Sequence, residues 1–346
     1  MYSYPFPPDK NYFLPFAISP DLHSMGNSLL PYLKMKINSF IDFKKIKQIK
    51  VLGCFDRESG ISANEKDGKQ FNFMRPTVQI IGQNAEIRCF PGIDYIFHYS
   101  NIYYTFSNLY ENHIDVISEI PTEEQCWSEI CRSSLGNIPK VDTVVMGYVE
   151  GLDFLSSDRM WNGEGNFLYK RIKIKSGDAI LLGCKHTFWG EIAGRIVTFL
   201  SLLGVKRIIY SGKLGTLNAS FVPNEIIATG NVSLLPNGEI ITWENMFETV
   251  SNENVRQGRH ITLPSVLQET MQWVKNKNQD YSFVDPEIGH MAYAAQMAKI
   301  KFSYLHIVSD NLSNKYSFDL SNERKNVVID KKKNLMRIIG QEIIKL

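Results

Sequence analysis

Two short apolar runs separated by a helical pattern constrain the fold of this chain more than any other feature. The first run covers residues 178 to 183, and residues 191 to 203 then carry apolar side chains at helical spacing. Gly204 suits the end of that helix, and a second, β-branched run follows over residues 205 to 210. Such short connections between the two runs and the helix favour a right-handed strand-helix-strand unit with two buried, parallel strands. The sequence therefore predicts an α/β fold.

Residues 211 to 216 directly follow the second apolar run and are interpreted here as a glycine loop. Loops at the carboxyl ends of parallel strands are where open α/β sheets bind ligands. The two glycines would let a ligand approach the backbone, and Ser211, Lys213 and Thr216 offer donors to an anion. On spacing alone an ordinary glycine turn is the simpler interpretation. The spacing of a phosphate-binding P-loop is absent.

Composition restricts the classes of function. The chain has 346 residues, of which 44% are hydrophobic and 21% charged, as in globular proteins that bury a sizeable core. A net charge of +2 without a basic stripe gives no reason to expect nucleic acid. Five scattered cysteines without a CxxC pair indicate neither a disulfide framework nor a zinc site. With no export signal and no apolar run of ~18 residues, we expect a cytoplasmic protein without a membrane span or a metal.

Residues 1 to 140 carry patterns that favour strands, and no motif among them indicates a reaction or a ligand. Residues 77 to 82 and 85 to 90 look like two strands joined by a Gly-Gln-Asn turn. The aromatic stretch over residues 95 to 106 is interpreted as part of a β core rather than as a partner or dimer surface. We therefore expect a β-rich N-terminal extension of unknown role. A carbohydrate-binding module is a further interpretation, which rests on the aromatic residues alone.

The pattern changes near Pro139, and from residue 141 onward strands and helices alternate with short joints. Residues 264 to 275 predict a helix with proline in its first turn. Residues 281 to 284 predict a strand that meets a helix, with Asp285 as the N-cap. Residues 302 to 308 predict another strand, and residues 322 to 346 predict an amphipathic terminal helix.

Three segments taken together resemble the nucleoside phosphorylase and nucleosidase superfamily. They are, in chain order, residues 208 to 216, 284 to 287 and 307 to 311. They resemble the strand and glycine loop on the phosphate or water side of the sugar, the signature whose last glutamate holds ribose hydroxyls, and the strand end whose aspartate faces the purine. The resemblance implies a three-layer nucleoside phosphorylase-like domain with a mixed sheet over residues 141 to 346.

By this resemblance the chain would cleave the N-glycosidic bond of a purine nucleoside or a related compound, by phosphorolysis or hydrolysis. Asp310 would be the catalytic acid at the base if burial raises its pKa, and Glu287 would accept hydrogen bonds from ribose hydroxyls. No cofactor is expected, inorganic phosphate is the candidate co-substrate, and the family implies a homo-oligomer. The predicted substrate-binding residues are Ser211, Gly212, Lys213, Thr216, Pro286, His290, Ser309 and Asn311.

The sequence also departs from the family pattern near the sugar. Tyr210 stands where the hexameric phosphorylases carry an arginine, Lys213 where a serine or small residue is usual, and Pro286 where a methionine is usual. The nucleosidases activate water with a glutamate after the first strand, and here Glu150 or Asp153 would have to serve. The choice between phosphate and water therefore stays open. The competing interpretation is a redirected or non-catalytic member of the fold that binds a nucleotide-like ligand and a protein partner.

Overall fold

The structure is a computed structural model that describes residues 13–58, 60–62, 65, 68–110, 114–316 and 326–346, without the side chains of residues 326 and 327. The α-helices in this part of the chain are α1 Leu29–Lys36, α2 Ile93–Leu109, α3 Glu123–Arg132, α4 Glu191–Leu202, α5 Met271–Lys277, α6 Ile288–Ala298 and α7 Asn326–Ile344. The strands are β1 Gln48–Leu52, β2 Thr77–Ile81, β3 Asn84–Arg88, β4 Asp115–Glu119, β5 Thr143–Gly147, β6 Phe167–Ile174, β7 Gly177–Cys184, β8 Arg207–Thr216, β9 Ile227–Thr229, β10 Val232–Leu234, β11 Ile240–Thr242, β12 Val255–Gln257, β13 His260–Thr262, β14 Phe283–Asp285 and β15 Lys301–Asn311.

The strands from β5 to β15 form one mixed sheet. Its longest path runs β11-β10-β13-β14-β8-β15-β9-β12, while β5 joins β8 to β7, and β6 continues from β7. Strand β5 is parallel to both β7 and β8. The predicted strand-helix-strand unit is therefore confirmed as β7-α4-β8, with β5 inserted between its two parallel strands.

Alternate side chains of the central strands enter two different apolar cores, because successive residues of a strand point to opposite faces of the sheet. Val144 and Ile208 pack in the core that includes α4 and α6, whereas Val145 and Ile209 pack in the core beneath α7. All four side chains are fully buried, and burying each contributes about 1.5–3 kcal/mol. Helices thus cover both faces, which gives the three layers predicted from the sequence.

Strand β8 is longer than the sequence predicts. Residues 211 to 216, expected to form a loop, continue the strand and pair with β15 as far as Thr216. Strand β14 pairs with the last two residues of β8 from the other side. The loop prediction is wrong because neighbouring strands supply backbone hydrogen-bond partners that keep a glycine-containing segment extended. Strand β15 likewise continues to Asn311, with a register shift between Val308 and Asp310.

The N-terminal segment contains both sheet and helix. Strands β2 and β3 form the predicted hairpin, and β1 lies parallel to β3 and β4 in a separate four-stranded sheet. Residues 95 to 106, predicted to belong to a β core, lie instead in α2. Most of α2 is buried on all sides, so its sequence lacks the one-sided apolar stripe that marks a surface helix. The segment is therefore mixed α/β rather than β-rich.

Two helix N-termini meet where the N-terminal segment contacts the main sheet. Asp94 Oδ2 in α2 accepts a hydrogen bond from the Glu191 amide at 3.0 Å. The Glu191 carboxyl in α4 accepts in return from the amides of Ile93 at 2.7 Å and Asp94 at 3.3 Å. Each helix thus supplies an acceptor for the free amides of the other. Burial, and then the Asp94 charge, raises the pKa of Glu191 to about 8.

Three other helix predictions need adjustment. Residues 264 to 275 form a 3-10 turn at Val266–Gln268 and then α5, so no continuous helix is present there. Asp285 was expected to be the N-cap of α6, but that position belongs to Glu287, two residues later. Asp285 still caps the helix, because its Oδ1 accepts hydrogen bonds from the amides of Glu287 and Ile288. Helix α7 confirms the terminal helix from residue 326, and residues 322 to 325 lie outside the described residues. None of the described helices has the length and apolar character needed to cross a membrane.

Candidate active site at the end of strand β8

The three segments that resemble the superfamily lie side by side at the end of β8. Gly215 pairs with Val284 of β14 on one side and with Asp310 of β15 on the other. A Cβ atom on Gly215 would lie 3.0 Å from Asp310 Oδ2, 3.3 Å from Val284 Cγ1 and 2.7 Å from Leu312 Cδ1. The glycine therefore allows the Asp310 carboxylate to approach the backbone of β8.

Gly215→Ala is expected to lower the free energy of unfolding by about 1–3 kcal/mol, because the added methyl group overpacks the contact with Asp310. Chemical denaturation followed by circular dichroism measures this. Gly136→Ala is the matched control, since a Cβ there meets only Phe199 Cζ at 4.0 Å, and it should change stability by less than about 0.5 kcal/mol. Equal effects of the two substitutions would contradict the packing described for Gly215.

The donors predicted along residues 211 to 216 have different surroundings. Thr216 Oγ1 donates to the Ser282 carbonyl at 2.8 Å, so this hydroxyl binds the end of β8 to the residue before β14. Ser211 is fully buried, and within the described residues its Oγ has no hydrogen-bond partner. Lys213 is half-buried and lies two residues before Gly215 on the same strand, hence on the same face. Of the three side chains, Lys213 is the one placed to reach a ligand near Asp310.

Gly212 has a close contact of its own. A Cβ atom there would lie 2.8 Å from His306 Nε2, so the glycine makes room for a buried imidazole rather than for a ligand. The His306 ring also packs edge-on against Tyr210, with ring centres 4.4 Å apart. Gly212, predicted to contact substrate, therefore has a packing role in this structure.

Glu287 is buried just before α6, with 7% of its surface exposed. The Tyr210 hydroxyl and the Gly190 amide are within hydrogen-bonding range of its carboxyl group. Burial, and then the Asp285 charge, raises the pKa of Glu287 well above its ordinary value. A neutral Glu287 would donate as well as accept hydrogen bonds, whereas the sequence analysis assumed an ionised acceptor. Tyr210, at the position of the family's arginine, is one of its neighbours.

Asp285 forms a buried cluster with two histidines. His260 Nε2 lies 3.0 Å from Asp285 Oδ1, and His306 Nε2 lies 3.7 Å from Asp285 Oδ2. Burial alone would raise the pKa of Asp285, but His260 and then His306 hold that pKa below its ordinary value. Because Asp285 also binds the amide of Glu287, the cluster fixes where Glu287 begins the turn into α6.

The end of β15 presents Asp310 to solvent. Asp310 is exposed, and Ser309 Oγ donates to its Oδ1 at 2.7 Å. The Asn311 side-chain amide donates to two backbone carbonyls in the loop after β8, each at 2.9 Å. Asn311 therefore anchors that loop. The acid role of Asp310 was conditional on burial, and the structure does not provide that burial.

Pro286 lies within residues 284 to 287, the segment that resembles the ribose-binding signature, and His290 follows that segment in α6. His290 is buried, and its Nε2 lies 3.1 Å from Asp94 Oδ2, so it joins α6 to α2 in the N-terminal segment. Pro286 is half-buried between Asp285 and Glu287. The contact with Asp94 gives His290 a packing role, and its contact with a substrate stays a prediction.

The two carboxylates considered for activating water bind other parts of the chain. Glu150 Oε1 accepts from the amides of Gln70 at 2.7 Å and Phe71 at 2.5 Å. Asp153 Oδ1 forms an ion pair with Lys170 Nζ at 2.7 Å. Both carboxylates thus have structural partners after β5, and their role in activating water stays a prediction.

Glu269 is the acidic group that the sequence analysis missed. It follows the 3-10 turn in the stretch expected to be helical, and only 7% of its surface is exposed. Burial, and then the charge of Asp310, raises the pKa of Glu269 well above its ordinary value. A buried acid with a raised pKa and an exposed carboxylate are therefore neighbours.

The N-terminal segment lines the same site. Tyr32 of α1 lies within electrostatic range of Arg75, Glu269 and Asp310. Its hydroxyl is 3.2 Å from Nε2 of His98 in α2. No motif pointed to these residues, because the residues that meet here come from widely separated parts of the sequence. The site is thus shared between the superfamily-like part and the segment that precedes it.

Comparison with known proteins finds similar solved structures at low sequence identity. No protein-family model matches the chain. Similar solved structures include the 5′-methylthioadenosine/S-adenosylhomocysteine nucleosidase of Campylobacter jejuni, with 15% identity, 60% of this chain and 100% of that chain covered, and a TM-score of 0.46. The purine nucleoside phosphorylase of Toxoplasma gondii has 12% identity and a TM-score of 0.46. That match covers 60% of this chain and 92% of the phosphorylase. The uridine phosphorylase of Vibrio fischeri has 12% identity, the same coverage and a TM-score of 0.48.

One curated protein, the oxidoreductase cns1 of Cordyceps militaris, is 21% identical over 257 residues. The match covers 65% of this chain and 32% of that protein, so the chain spans about a third of its relative. These identities and TM-scores do not assign a reaction to this chain.

Proposed function

We propose that this protein cleaves the N-glycosidic bond of a nucleoside or a nucleoside-like compound. The observation that carries the proposal is the pair of neighbouring carboxyl groups, a buried Glu269 with a raised pKa and an exposed Asp310. Breaking the bond leaves an electron pair on a nitrogen of the base, so a proton donor at the base lowers the barrier. Glu269 would donate that proton, and an ionised Asp310 would orient the base and stabilise the positive charge that develops on the sugar.

An oxygen nucleophile must then bond to the anomeric carbon of the sugar. Phosphate is the nucleophile we favour, because the cationic Lys213 lies on the strand beside Asp310 and suits an anion. In this reaction the bond between carbon and base nitrogen breaks, a bond to a phosphate oxygen forms, and the base leaves with the proton from the acid. Hydrolysis would need another group to activate water.

Release of the free base from a panel of nucleosides and nucleotides, with and without phosphate, tests this proposal by chromatography. Asp310→Asn is expected to reduce release by about 10²–10⁴-fold without changing the circular dichroism spectrum. Asp280→Asn, at an exposed position on the surface, should behave like the wild type. Release that depends on phosphate would support phosphorolysis, and release without phosphate would reject that choice. A wild type that releases no base from any compound contradicts the proposal.

A second candidate function is the binding of a nucleotide-like ligand without turnover. The position of Glu287 favours it, because the residue that would hold ribose hydroxyls already has Tyr210 and Gly190 within hydrogen-bonding range. A protein of this kind would bind ligands from the same panel and release no base. Binding measured by calorimetry alongside base release therefore separates the two functions.

A further inference from the structure

Four polar side chains beneath the first turn of α6 form a connected group, which we call the polar array. Ser233 lies in β10, His260 and Thr262 lie in β13, and Asp285 ends β14. All four residues are buried, with exposed fractions of 0% to 4%. Buried polar groups need hydrogen-bond partners, so the contacts within the array decide how each side chain is oriented.

The array meets the candidate active site at Oδ1 of Asp285. This oxygen accepts hydrogen bonds from the amides of Glu287 at 3.0 Å and Ile288 at 2.9 Å. His260 Nε2 lies 3.0 Å from the same oxygen, and within the described residues Nε2 has no hydrogen bond to any other group. The imidazole and the start of α6 therefore share one carboxylate oxygen.

Two hydroxyl groups hold the other side of the His260 ring. Ser233 Oγ lies 2.9 Å from His260 Nδ1, and Thr262 Oγ1 lies 3.0 Å from Ser233 Oγ. Thr262 Oγ1 in turn accepts from the Gly289 amide at 2.9 Å. A neutral imidazole with its proton on Nε2 fits these contacts, because Nδ1 then accepts from Ser233 while the Nε2 proton faces Asp285. The hydroxyl groups thus orient the ring toward Asp285.

His306 contacts the second oxygen of Asp285. Its Nε2 lies 3.7 Å from Asp285 Oδ2, and its ring packs edge-on against Tyr210 with ring centres 4.4 Å apart. The Tyr210 hydroxyl is within hydrogen-bonding range of the Glu287 carboxyl group. Glu287 is therefore approached twice, at its amide by Asp285 and at its carboxyl group by a ring that packs on His306.

Capping α6 does not by itself require this arrangement. A hydroxyl group is also a good acceptor at a helix N-terminus, and Thr262 serves the Gly289 amide in this way. A buried carboxylate costs free energy to desolvate, and a charged partner does not always return that cost. Ligand-binding groups, however, are held in a precise position by neighbours whose own side chains are locked by further hydrogen bonds. The residue that the array holds, Glu287, therefore explains it better than helix stability does.

We propose that His260 is a positioning residue that acts through Asp285 on Glu287, and that it sets how strongly the protein prefers a sugar that carries hydroxyl groups. In this role Glu287 contacts the sugar of the proposed substrate, so the identity of the ligand rests on the proposed function. Loss of the His260 contact frees Asp285 and the start of α6 to shift. A hydrogen bond to a sugar hydroxyl weakens with such a shift, because it depends on distance and angle.

Two substitutions of His260 differ in whether they reach Asp285. The side-chain nitrogen of glutamine is as many bonds from Cα as Nε2 of histidine, whereas that of asparagine corresponds to Nδ1. His260→Asn therefore keeps a polar atom beside Ser233 and loses the contact with Asp285, and His260→Gln keeps the contact with Asp285. Isothermal titration calorimetry on the full chain measures the affinity of each variant for a ribonucleoside and for its 2′,3′-dideoxy analogue, without requiring turnover.

His260→Asn is expected to weaken ribonucleoside binding by about tenfold, the effect of one buried hydrogen-bonding group left without its partner. Its affinity for the dideoxy analogue should stay at the wild-type value, because that sugar has no hydroxyl on the ring to lose a bond. His260→Gln should keep the wild-type ratio of the two affinities. A purely structural role of His260 would weaken both ligands alike. Circular dichroism checks that each variant is folded.

An unchanged ratio of affinities in His260→Asn would overturn the inference, as would equal weakening of both ligands or a wild type that does not prefer the ribonucleoside. Ser233→Ala removes the contact at Nδ1 and decides the outcome if His260→Asn does not fold. It should lower the same ratio, and an unchanged ratio would again overturn the inference. Base release by the wild type together with an unchanged ratio would leave the proposed cleavage standing. A lowered ratio without base release would reject the cleavage and keep the positioning role.

Discussion

Glu269→Gln is expected to reduce base release strongly while making the folded protein more stable at pH 8. The amide cannot donate a proton to the leaving base, so we expect a loss of about 10²–10⁴-fold, the usual contribution of a general acid. Thermal denaturation should show a higher Tm for the variant, at about 2–4 °C for each kcal/mol of added stability. Base release and thermal denaturation measured on the same preparations test both effects.

The sign of the stability effect follows from the raised pKa of Glu269. In the unfolded chain the carboxyl ionises near pH 4.5, but the folded protein keeps the proton to higher pH. Between those two pKa values the folded state holds more protons, so its stability falls as pH rises through this window. Glutamine does not ionise, and the difference in Tm between variant and wild type should therefore grow with pH and vanish below pH ~4.

The pH dependence of turnover gives a separate readout for Glu269. The wild-type rate should fall as pH rises through the raised pKa, because the protonated form is the active one. Glu253→Gln, at an exposed position, serves as the control and should keep both the wild-type rate and the wild-type Tm. A Glu269→Gln variant that retains turnover would remove Glu269 from the mechanism. A variant that is less stable at pH 8 would contradict the raised pKa of the buried Glu269 carboxyl.

Gly190→Ala is expected to cost about 3–5 kcal/mol of folding free energy, or to prevent folding altogether. Gly190 has φ +65°, and a Cβ atom there would lie 2.2 Å from Asp94 Oδ2. The substitution therefore combines backbone strain with a clash against a buried carboxylate. Asp94 caps α4 and contacts His290, so the clash would separate the N-terminal segment from the main sheet. The midpoint of urea denaturation measures the effect.

Gly204→Ala is the matched control at the other end of α4. Gly204 also has a positive φ, +93°, but a Cβ atom there would meet nothing within 4 Å. Its substitution should cost about 1–2 kcal/mol, the strain of a left-handed backbone alone. The difference between the two variants isolates the contact with Asp94. Similar losses at both positions would show that this contact adds nothing to backbone strain.

The N-terminal segment gains a functional interpretation from these contacts. Its Tyr32 lies within electrostatic range of Asp310 and contacts His98. Its attachment through Asp94 and Glu191 is buried and mutual. Removing the segment would therefore be expected to disturb the site and the main core together, which makes point substitutions the sharper experiments.

Local patterns in the sequence were sufficient for the central architecture. The apolar runs before and after α4 predicted parallel strands, and the motifs around Gly215, Glu287 and Asp310 pointed to adjacent strand ends. These predictions succeeded because the spacing of apolar side chains records which faces of a helix or strand are buried. They failed over residues 95 to 106, because a helix buried on every side shows no such spacing. They also failed over residues 211 to 216, where neighbouring strands rather than local propensity keep the backbone extended.

The sequence by itself determined the three-layer α/β part of this protein and the strand ends at which its candidate site would form. Only the tertiary structure decided which side chains face one another there. Glu269 acquires its raised pKa from burial and from Asp310. Burial and charge proximity between residues this far apart in sequence arise only from long-range packing, so no local pattern encodes them.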